Sequence, residues 1–536
     1  MPNRRYDLLI VAPEEYIESL RPLEEHKISM GIRSRLLSLE EIYRTYPGRD
    51  EAEKVKQCLA AYSRDSRIRY AMLFGDCEKF PVRYTKTDRK TQEAHDTAFY
   101  PADLYYADLF ESDGTVDDWD RNRNGYFGEL RGESTSGSLN VDDVDLRPDI
   151  AVGRIPASTS REVETYVSKI IRYEQGAYGA SWSKNALLIA TTDWIHEACK
   201  TQDYVATHYL KQNRVYKLYA DGNPCEATPA LNSAAINTRI NQGVGLVSYA
   251  GHGSTNGWHG CYSTSDLSML TNADKLPVIF AAACSTSEFA TLPPYHPYTD
   301  IFGVYHRGTV NGEVFYATPP QPACLQAVNN TESLGEHITV KHQIGAIAYV
   351  GCVTGAQPWS IDLGKYFVEA IKHGHRTLGG MWNYMVQKYY EIHVPSLVVD
   401  PPDWTKVAEF HQPWKFFLFG DPSLRIGGIM ANYYGKIDTY TLKIETPNVH
   451  TNYKRLIYLK GSFGLAFVYF VPEGGQLGTN RKRIDGNVFD VYLWESAWDP
   501  VVDIVRNEKP VSFYYKSDSN TAYLYTGNEP IGEEES

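Results

Sequence analysis

The sequence predicts an α/β protein with a mostly parallel sheet, helices on both faces of that sheet, and a small all-β domain at the carboxyl end. Three observations lead to this prediction. Apolar segments of strand length alternate with segments of helical periodicity as far as about residue 426. Two of those apolar segments end in a reactive side chain. Beyond residue 430 the pattern changes to short runs rich in Tyr, Val, Thr and Ile, which Gly, Asn and Pro divide.

The alternation passes through three cycles, as a parallel sheet with crossover helices requires. The expected strands are 8–12, 70–75, 147–153, 186–190, 244–249, 276–283 and 345–351. The expected helices are 14–31, 52–62, 160–175 and 197–211. Ser160 is the expected N-cap of the third helix, and Gly176 follows its far end.

A chain of 536 residues is longer than one ordinary domain, so we expect several units. The predicted units are an amino-terminal α/β subdomain over 1–176, a second α/β subdomain over 177–429, and a β-sandwich-like domain over 430–536. The last residues, 532–536, are expected to form a frayed tail.

The composition argues against several partners. A formal charge of −13 and a pI near 5.6 argue against nucleic acid, which is normally met by a basic surface. The longest apolar stretches fall well short of the roughly 18 to 20 residues that cross a bilayer, so no membrane span is expected. No zinc-binding spacing and no motif for an organic cofactor stands out. The oligomeric state is not indicated.

The cysteines bear on the cellular location. Eight of them are spread along the chain without a CxxC pair, so we expect mostly free thiols in a reducing compartment. Residues 1–7 lead directly into the short apolar run 8–11, which reads as a core strand and not as a signal peptide. The expected location is therefore the cytoplasm, or the cell exterior if a leader has been removed.

Two strand-like segments share one construction, in which the strand delivers a reactive side chain just past its carboxyl end. Segment 245–253 leads to His252, and segment 276–284 leads to Cys284. In a parallel sheet the crevice beyond the carboxyl ends of the strands binds ligands, so neighbouring strands would present both groups to one substrate. Taken alone, a cysteine such as Cys284 is more often a small buried residue than a nucleophile, and the alternative for His252 is a place in a turn. Together they predict a nucleophile and its proton-transfer partner.

The expected mechanism is attack of the Cys284 thiolate on a peptide carbonyl, followed by protonation of the departing amine by His252. The backbone N–H groups of Gly253 and Cys284 are the expected oxyanion donors. Glycines on both sides of His252 let the backbone turn sharply and approach a substrate closely.

The segments 249–253 and 279–284 resemble the His-Gly and Ala-Cys signatures of clan CD cysteine peptidases. Further segments occur in the order found in the gingipain family, peptidase family C25: they are 70–76, 148–156, 275–280 and 419–424. The resemblance covers about residues 5 to 426. It implies a caspase-like fold and a cysteine endopeptidase.

The resemblance also implies roles for individual residues. Asp193 stands where gingipains have the acid that orients the histidine, although it reads equally as a helix cap. Cys199 stands where arginine-specific gingipains have an aspartate, with Glu197 and Asp203 nearby, so a preference for a basic P1 residue stays open. Gln357 and Trp359 resemble the segment that lines the specificity pocket, and the alternative for Trp359 is a core residue.

The segment 290–331 is longer than the family pattern and rich in Pro, Tyr and His. We expect a lid, an autoprocessing loop or a partner surface there, because long irregular loops are usually functional or disordered.

A loop at 117–129 predicts a structural calcium site. Alternating Asp and Asn before a glycine gather the hard oxygen ligands that calcium prefers. The expected ligands are Asp118, Asp120, Asn122, Asn124 and Glu129. The loop is not a full EF-hand, because Arg131 stands at the twelfth place counted from Asp120. The alternative is a solvated acidic turn.

The sequence therefore predicts a cysteine endopeptidase that acts on protein or peptide substrates. The alternative is a latent or inactive protein of the same fold that serves as an interaction scaffold.

Overall fold

A computed structural model describes residues 5–90, 95–131, 139–177, 180–192, 198–211, 213–226, 228–325, 332–393, 404–427, 432–444, 453–461, 463–482, 488–516 and 521–526. Contacts between residues divide the chain into two compact units. One comprises Met1–Ile28 and Ile32–Ile429, and the other Ser29–Gly31 and Met430–Ser536.

The first part of the chain, up to residue 177, contains seven strands and five helices in its described residues. The strands are β1 Leu8–Ala12, β2 Ser34–Ser38, β3 Tyr70–Phe74, β4 Tyr84–Lys90, β5 His95–Pro101, β6 Phe127–Leu130 and β7 Ala151–Ile155. The helices are α1 Ile17–Ser29, α2 Leu39–Thr45, α3 Glu51–Ser66, α4 Leu104–Ala107 and α5 Ser160–Gly176.

The second part continues to residue 427. Its strands are β8 Asn185–Ala190, β9 Arg214–Tyr219, β10 Leu246–Ala250, β11 Gly253–Ser254, β12 Gly257–Trp258, β13 Tyr262–Ser263, β14 Val278–Ala282, β15 Tyr298–Thr299, β16 Tyr305–His306, β17 Ala348–Cys352 and β18 Phe416–Phe419. Its helices are α6 Ala198–His208, α7 Ser233–Gln242, α8 Leu334–Glu336, α9 Ser360–Lys372, α10 Leu378–His393 and α11 Trp404–Phe410.

The third part is the carboxyl-terminal unit. Its strands are β19 Asn432–Ile444, β20 Arg455–Gly461, β21 Gly464–Val471, β22 Arg481–Lys482, β23 Val488–Trp494, β24 Ser512–Lys516 and β25 Thr521–Tyr525, and its helix is α12 Trp498–Asn507. The strands form one sheet in the order β22-β23-β21-β20-β19-β24-β25. Helix α12 contributes Trp498, Val502 and Val505 to the core of this unit. The sequence analysis did not anticipate this helix.

The larger unit is organised around one ten-stranded sheet in the order β2-β1-β3-β7-β18-β17-β14-β10-β8-β9. Neighbouring strands run parallel throughout, except that β17 and β18 are antiparallel. This confirms the predicted α/β class with a mostly parallel sheet. Strands from both sides of the expected boundary at 176 belong to this sheet, joined through β7 and β18.

The two faces of the sheet pack against different cores. Alternate residues of β14 show this: Val278 and Phe280 belong to one apolar cluster, whereas Ile279 and Ala281 belong to another. The first cluster includes residues of α9 and α10, and the second includes residues of α7. Strands buried on both faces read as continuous apolar runs, which is why the sequence revealed them.

One local prediction was wrong. The N-cap of α5 is Thr159, not Ser160, because the Thr159 hydroxyl accepts the backbone N–H of Glu162 at 3.3 Å. Ser160 is the first residue inside the helix.

No helix among the described residues is long and apolar enough to span a membrane.

Candidate active site

The two predicted reactive residues leave the sheet from paired positions. On the neighbouring parallel strands β10 and β14, Ala250 lies opposite Ala282. His252 follows the first by two residues, and Cys284 follows the second by two residues. Because parallel strands bring their carboxyl ends to the same edge, the structure places both residues at one edge of the sheet.

The loops that carry these residues touch through their backbones. A β-carbon added at Gly253 would lie 2.6 Å from the carbonyl oxygen of Cys284 and 2.8 Å from the β-carbon of Ala283. The N–H of Gly251 donates to the carbonyl of Ala282 at 3.2 Å. Gly253 is therefore required for this close approach, and any side chain there would push the two loops apart.

Cys284 differs from the other free cysteines in its accessibility. It is half-buried, whereas the five others, Cys58, Cys77, Cys261, Cys324 and Cys352, are buried. Among the free thiols in the described part of the chain, Cys284 is thus the one that a substrate or a reagent can reach.

The turn after Cys284 is strained and tightly bonded. Ser285 has a φ of +54°, in the left-handed region that non-glycine residues rarely adopt and that often marks functional sites. Its N–H donates to the carbonyl of Thr354 at 2.8 Å, and the N–H of Ser287 donates to Cys352 at 3.0 Å. Within the described residues, the N–H of Cys284 makes no such backbone bond, so this donor is available to a ligand.

The backbone of His252 is held by two donors. Its carbonyl accepts the Tyr249 hydroxyl at 2.7 Å and the N–H of His259 at 3.0 Å. The small antiparallel sheet β11-β12-β13 follows directly and borders an open groove of about 450 Å³. Polar side chains line this groove, among them Asn256, His259 and Asp266.

The loop after β17 brings the predicted pocket residues close to Cys284. The Cys284 thiol donates to the carbonyl of Ala356, with 3.6 Å between sulfur and oxygen. The next residue, Gln357, is fixed by its N–H, which donates to the side-chain oxygen of Gln412 at 3.0 Å. Trp359 is half-buried at the start of α9. Both residues therefore lie within three positions of Ala356, which contacts Cys284. Their role towards a substrate stays a prediction.

Cys199 requires a correction of its chemical state. It forms a disulfide with Cys225 and is buried, so it is not a free thiol. The bond ties the first turn of α6 to the loop after β9. Asp203 on the same helix accepts the Tyr219 hydroxyl and the Lys217 ammonium, each at 2.7 Å. The expected orienting acid, Asp193, and also Glu197 lie outside the described residues.

Two buried ionisable residues near Cys284 were not predicted from the sequence. Lys415 is 5% exposed, and its ammonium donates to the carbonyl of Gly355 at 2.8 Å. Burial raises the pKa of Glu288, against the lowering effect of hydrogen bonds from Ser285 and Thr255. The sequence does contain a signal for Lys415. It is the single cationic residue in the mostly aromatic segment 414–419, and a segment of that composition is typical of a buried strand.

The carboxylates of the predicted calcium loop form ion pairs with cationic side chains of the protein. Arg49 bonds to Asp118 at 2.5 Å and to Asp120 at 2.8 Å. Glu129 pairs with Lys86. The side-chain amides of Asn122 and Asn124 also donate to Glu129, at 3.3 and 2.8 Å. In the described part of the chain, no three His, Cys, Asp or Glu side chains form a group that could hold a metal ion.

The segment 290–325 packs against β4 and β5. The Tyr84 hydroxyl donates to the Thr291 carbonyl at 3.0 Å, and the N–H of Phe99 donates to Pro293 at 2.8 Å. The outer part of the segment exposes large apolar side chains: Phe302 is 77% exposed, Tyr316 is 76% exposed and Val310 is 74% exposed. Residues 326–331 of the predicted insertion lie outside the described residues.

A family model for peptidase family C25 matches residues 1–427. Gingipain R2 of Porphyromonas gingivalis is 21% identical over 285 residues, which cover 53% of this chain and 32% of that protein. Lys-gingipain of the same organism is 27% identical over 409 residues, which cover 69% of this chain and 20% of that protein. The chain thus matches a third or less of the length of these relatives.

Solved structures agree on the fold. The Arg-specific cysteine proteinase gingipain R has a TM-score of 0.51 at 16% identity, covering 86% of this chain and 85% of that one. The complex of the pro- and mature domains of Porphyromonas gingivalis RgpB has a TM-score of 0.53 at 14% identity, covering 97% and 99%. These likenesses confirm the predicted caspase-like, gingipain-type fold. With the family model matching most of its length, this chain belongs to peptidase family C25.

Proposed function

We propose that this chain is a cysteine endopeptidase whose catalytic pair is Cys284 and His252. The observation that carries the proposal is their matched position, each two residues beyond paired residues of neighbouring parallel strands. The half-buried state of Cys284 supports it, because a nucleophile has to be reached by its substrate.

The proposed reaction proceeds through a thioester. The Cys284 thiol gives its proton to His252, and the thiolate attacks the carbonyl carbon of the scissile bond. The imidazolium then protonates the leaving amine as the C–N bond breaks. In the second half, His252 takes a proton from water, the hydroxide releases the acyl group, and the proton returns to the sulfur. Each turnover consumes one peptide bond and one water.

The negative oxygen of the tetrahedral intermediate needs donors. The backbone N–H of Cys284 is suited to donate to this oxygen, because it makes no backbone hydrogen bond within the described residues. Loss of one such donor typically costs about two to three orders of magnitude in rate. Gly253 is the proposed second donor, and Asp193 the proposed orienting acid of His252.

The P1 side chain would meet the loop after β17. Gln357 and Trp359 are the proposed pocket residues, because they lie one and three positions after Ala356, whose carbonyl contacts the Cys284 sulfur. A basic P1 residue would need an unpaired carboxylate. Asp203 is already bonded to Lys217 and Tyr219, so it gives a basic preference little support.

We also propose a structural calcium ion at the 117–129 loop. The residue types are those that a hard cation prefers, since Asp118, Asp120 and Glu129 would supply carboxylates and the two asparagines would supply amide oxygens. Calcium would have to take over the positive charge that Arg49 and Lys86 now supply. It would brace the loop and take no part in hydrolysis.

The disulfide between Cys199 and Cys225 favours an oxidising compartment over the cytoplasm, because cytosolic thiols are kept reduced. Protein or peptide substrates are the proposed partners. The exposed apolar side chains of segment 301–316 are suited to contact a protein, in line with a partner surface.

Cleavage of a peptide library tests the proposed function. Wild type should release products with a defined P1 preference, and Cys284→Ala should release none. Cys58→Ala is the matched control, because Cys58 is a buried cysteine on α3. Identical product profiles from wild type and Cys284→Ala would overturn the proposal, and the absence of products from both would favour an inactive scaffold of the same fold.

A further inference from the structure

Lys415 occupies the same sheet edge as the nucleophile. It immediately precedes β18, whose first residue, Phe416, pairs with Cys352 at the carboxyl end of β17. Its carbonyl accepts the N–H of Val353 at 2.8 Å. Since β17 is the parallel neighbour of β14, this position adjoins the loop that begins with Cys284.

Within the part of the chain that the structure describes, the ammonium group of Lys415 is buried without a carboxylate partner. The residue is 5% exposed, and its hydrogen bond goes to the carbonyl of Gly355. Two other buried lysines pair with carboxylates: Lys27 with Glu174 and Asp421, and Lys86 with Glu129. No ion pair of Lys415 with a carboxylate occurs among the described residues. A buried ammonium without an anion is costly, so the neighbouring groups that can become anionic decide its state.

The thiols of Cys352 and Cys284 act on Lys415 electrostatically. Burial lowers the pKa of Lys415, and the thiols of Cys352 and Cys284 act in the opposite direction. Cys352 is fully buried, and burial raises its pKa to about 12, so it stays neutral at physiological pH. Cys284 is half-buried, and its sulfur contacts Ala356, the residue after the Gly355 carbonyl that Lys415 binds. The anion that Lys415 can compensate is therefore the Cys284 thiolate.

We propose that Lys415 is a positioning residue for the nucleophile: its ammonium stabilises the Cys284 thiolate and fixes, through Gly355, the loop that contacts the sulfur. This inference rests on the proposed peptidase function. It gives the site a second basic group beside His252. A thiolate stabilised in this way is also a better leaving group when the thioester is hydrolysed.

The other ionisable groups around this pair do not supply the same charge. Burial lowers the pKa of His411 well below its usual value, and Lys415 lowers it further, so His411 stays neutral. Glu288 is buried, and burial raises its pKa. His252 alternates between its neutral and protonated forms during the proposed reaction.

The test is the pH dependence of Cys284 alkylation by iodoacetamide, read by peptide mass mapping. Lys415→Met should raise the midpoint of the profile by about one pH unit and slow alkylation at pH 7 about tenfold. Lys415→Arg, which keeps the charge, should stay within about threefold of wild type. Lys169→Met is the matched control, because Lys169 is another buried lysine whose ammonium binds backbone carbonyls, those of Ile338, Thr339 and Ile344.

The control should lose thermal stability while keeping the wild-type midpoint. If Lys415→Met does not accumulate as folded protein, Lys415→Gln replaces it, since its amide can still donate to Gly355 without a charge. An unchanged midpoint in the uncharged variant, or an equal shift in Lys169→Met, would overturn the role of Lys415. Failure of the peptidase function itself looks different: wild-type Cys284 would then react no faster than Cys58.

Discussion

His252 and Cys284 extend two neighbouring parallel strands from the facing residues Ala250 and Ala282, each by two positions. The equal offset matters because the side-chain period of a strand is two residues, so equal extensions start from the same face of the sheet. The two loops also approach each other closely, because a β-carbon added at Gly253 would lie 2.6 Å from the Cys284 carbonyl oxygen.

Substitution of Gly253 should therefore impair catalysis more than folding. In Gly253→Ala the new β-carbon would displace the histidine loop from the cysteine loop. A displacement near 1 Å costs about 100-fold in rate, so kcat/KM should fall by about that factor. Gly176→Ala is the control, because nothing lies within 4 Å of a β-carbon there. Equal kcat/KM values for both variants would contradict the close approach of the two loops.

The disulfide should contribute to stability under oxidising conditions. Cys199 and Cys225 are 26 residues apart, and closing a loop of that size typically stabilises by about 3 kcal/mol. The double variant Cys199→Ser/Cys225→Ser should unfold at a lower urea concentration than wild type without reductant. In dithiothreitol the two proteins should unfold alike. A difference that persists in reductant would have another cause.

Calcium should stabilise the amino-terminal part of the larger unit. At a hundredfold excess over its Kd, a ligand that binds only the folded state stabilises by about 2.7 kcal/mol. We expect calcium to raise the Tm relative to EGTA, and Asp120→Asn to remove most of that increase. Asp113→Asn is the control, an exposed acid outside the proposed ligand set. A Tm that is the same in calcium and EGTA would count against the site.

The outer loop of segment 290–325 should be held more firmly at low pH. His306 lies between two carboxylates, with Nε2 2.9 Å from Asp300 and Nδ1 3.0 Å from Glu313. Burial lowers the pKa of His306, but its hydrogen bonds to both acids outweigh burial and raise the pKa overall. This stabilisation is fully present below about pH 6.5 and is lost as the pH rises through the raised value.

Limited proteolysis measures this effect. In a Cys284→Ala background, cleavage within 298–316 should be faster at pH 9 than at pH 6, after correction for the activity of the added protease. His306→Gln should be cleaved at similar corrected rates at both pH values. A wild-type loop with no pH dependence would show that the imidazolium does not hold it.

The sequence revealed the elements that are buried on both faces. Strands such as 8–12 and 278–282 are continuous apolar runs. This pattern is typical of parallel strands that are buried on both faces of the sheet. β9 was missed because its residues are mostly half-buried and include Arg214 and Lys217. β18 was missed because four residues of strand before a Gly-Asp-Pro turn give too short a pattern to assign.

The reactive residues of the site could be predicted from the sequence, but the interactions around them could not. His252 and Cys284 stand out because each ends an apolar run in a Gly or Ala setting. The disulfide joins cysteines without framework spacing, and the Lys415–Gly355 bond joins residues 60 positions apart. Such partners depend on tertiary packing, which a single sequence does not display.

Labelling with a peptidyl acyloxymethyl ketone tests the central claim most directly, because the reagent needs a substrate groove and an activated thiol together. Wild type should be modified at Cys284 alone, and His252→Ala should react at least tenfold more slowly with the same thiol. Labelling spread over several cysteines, or a rate that does not depend on His252, would contradict a shared active site for these two residues.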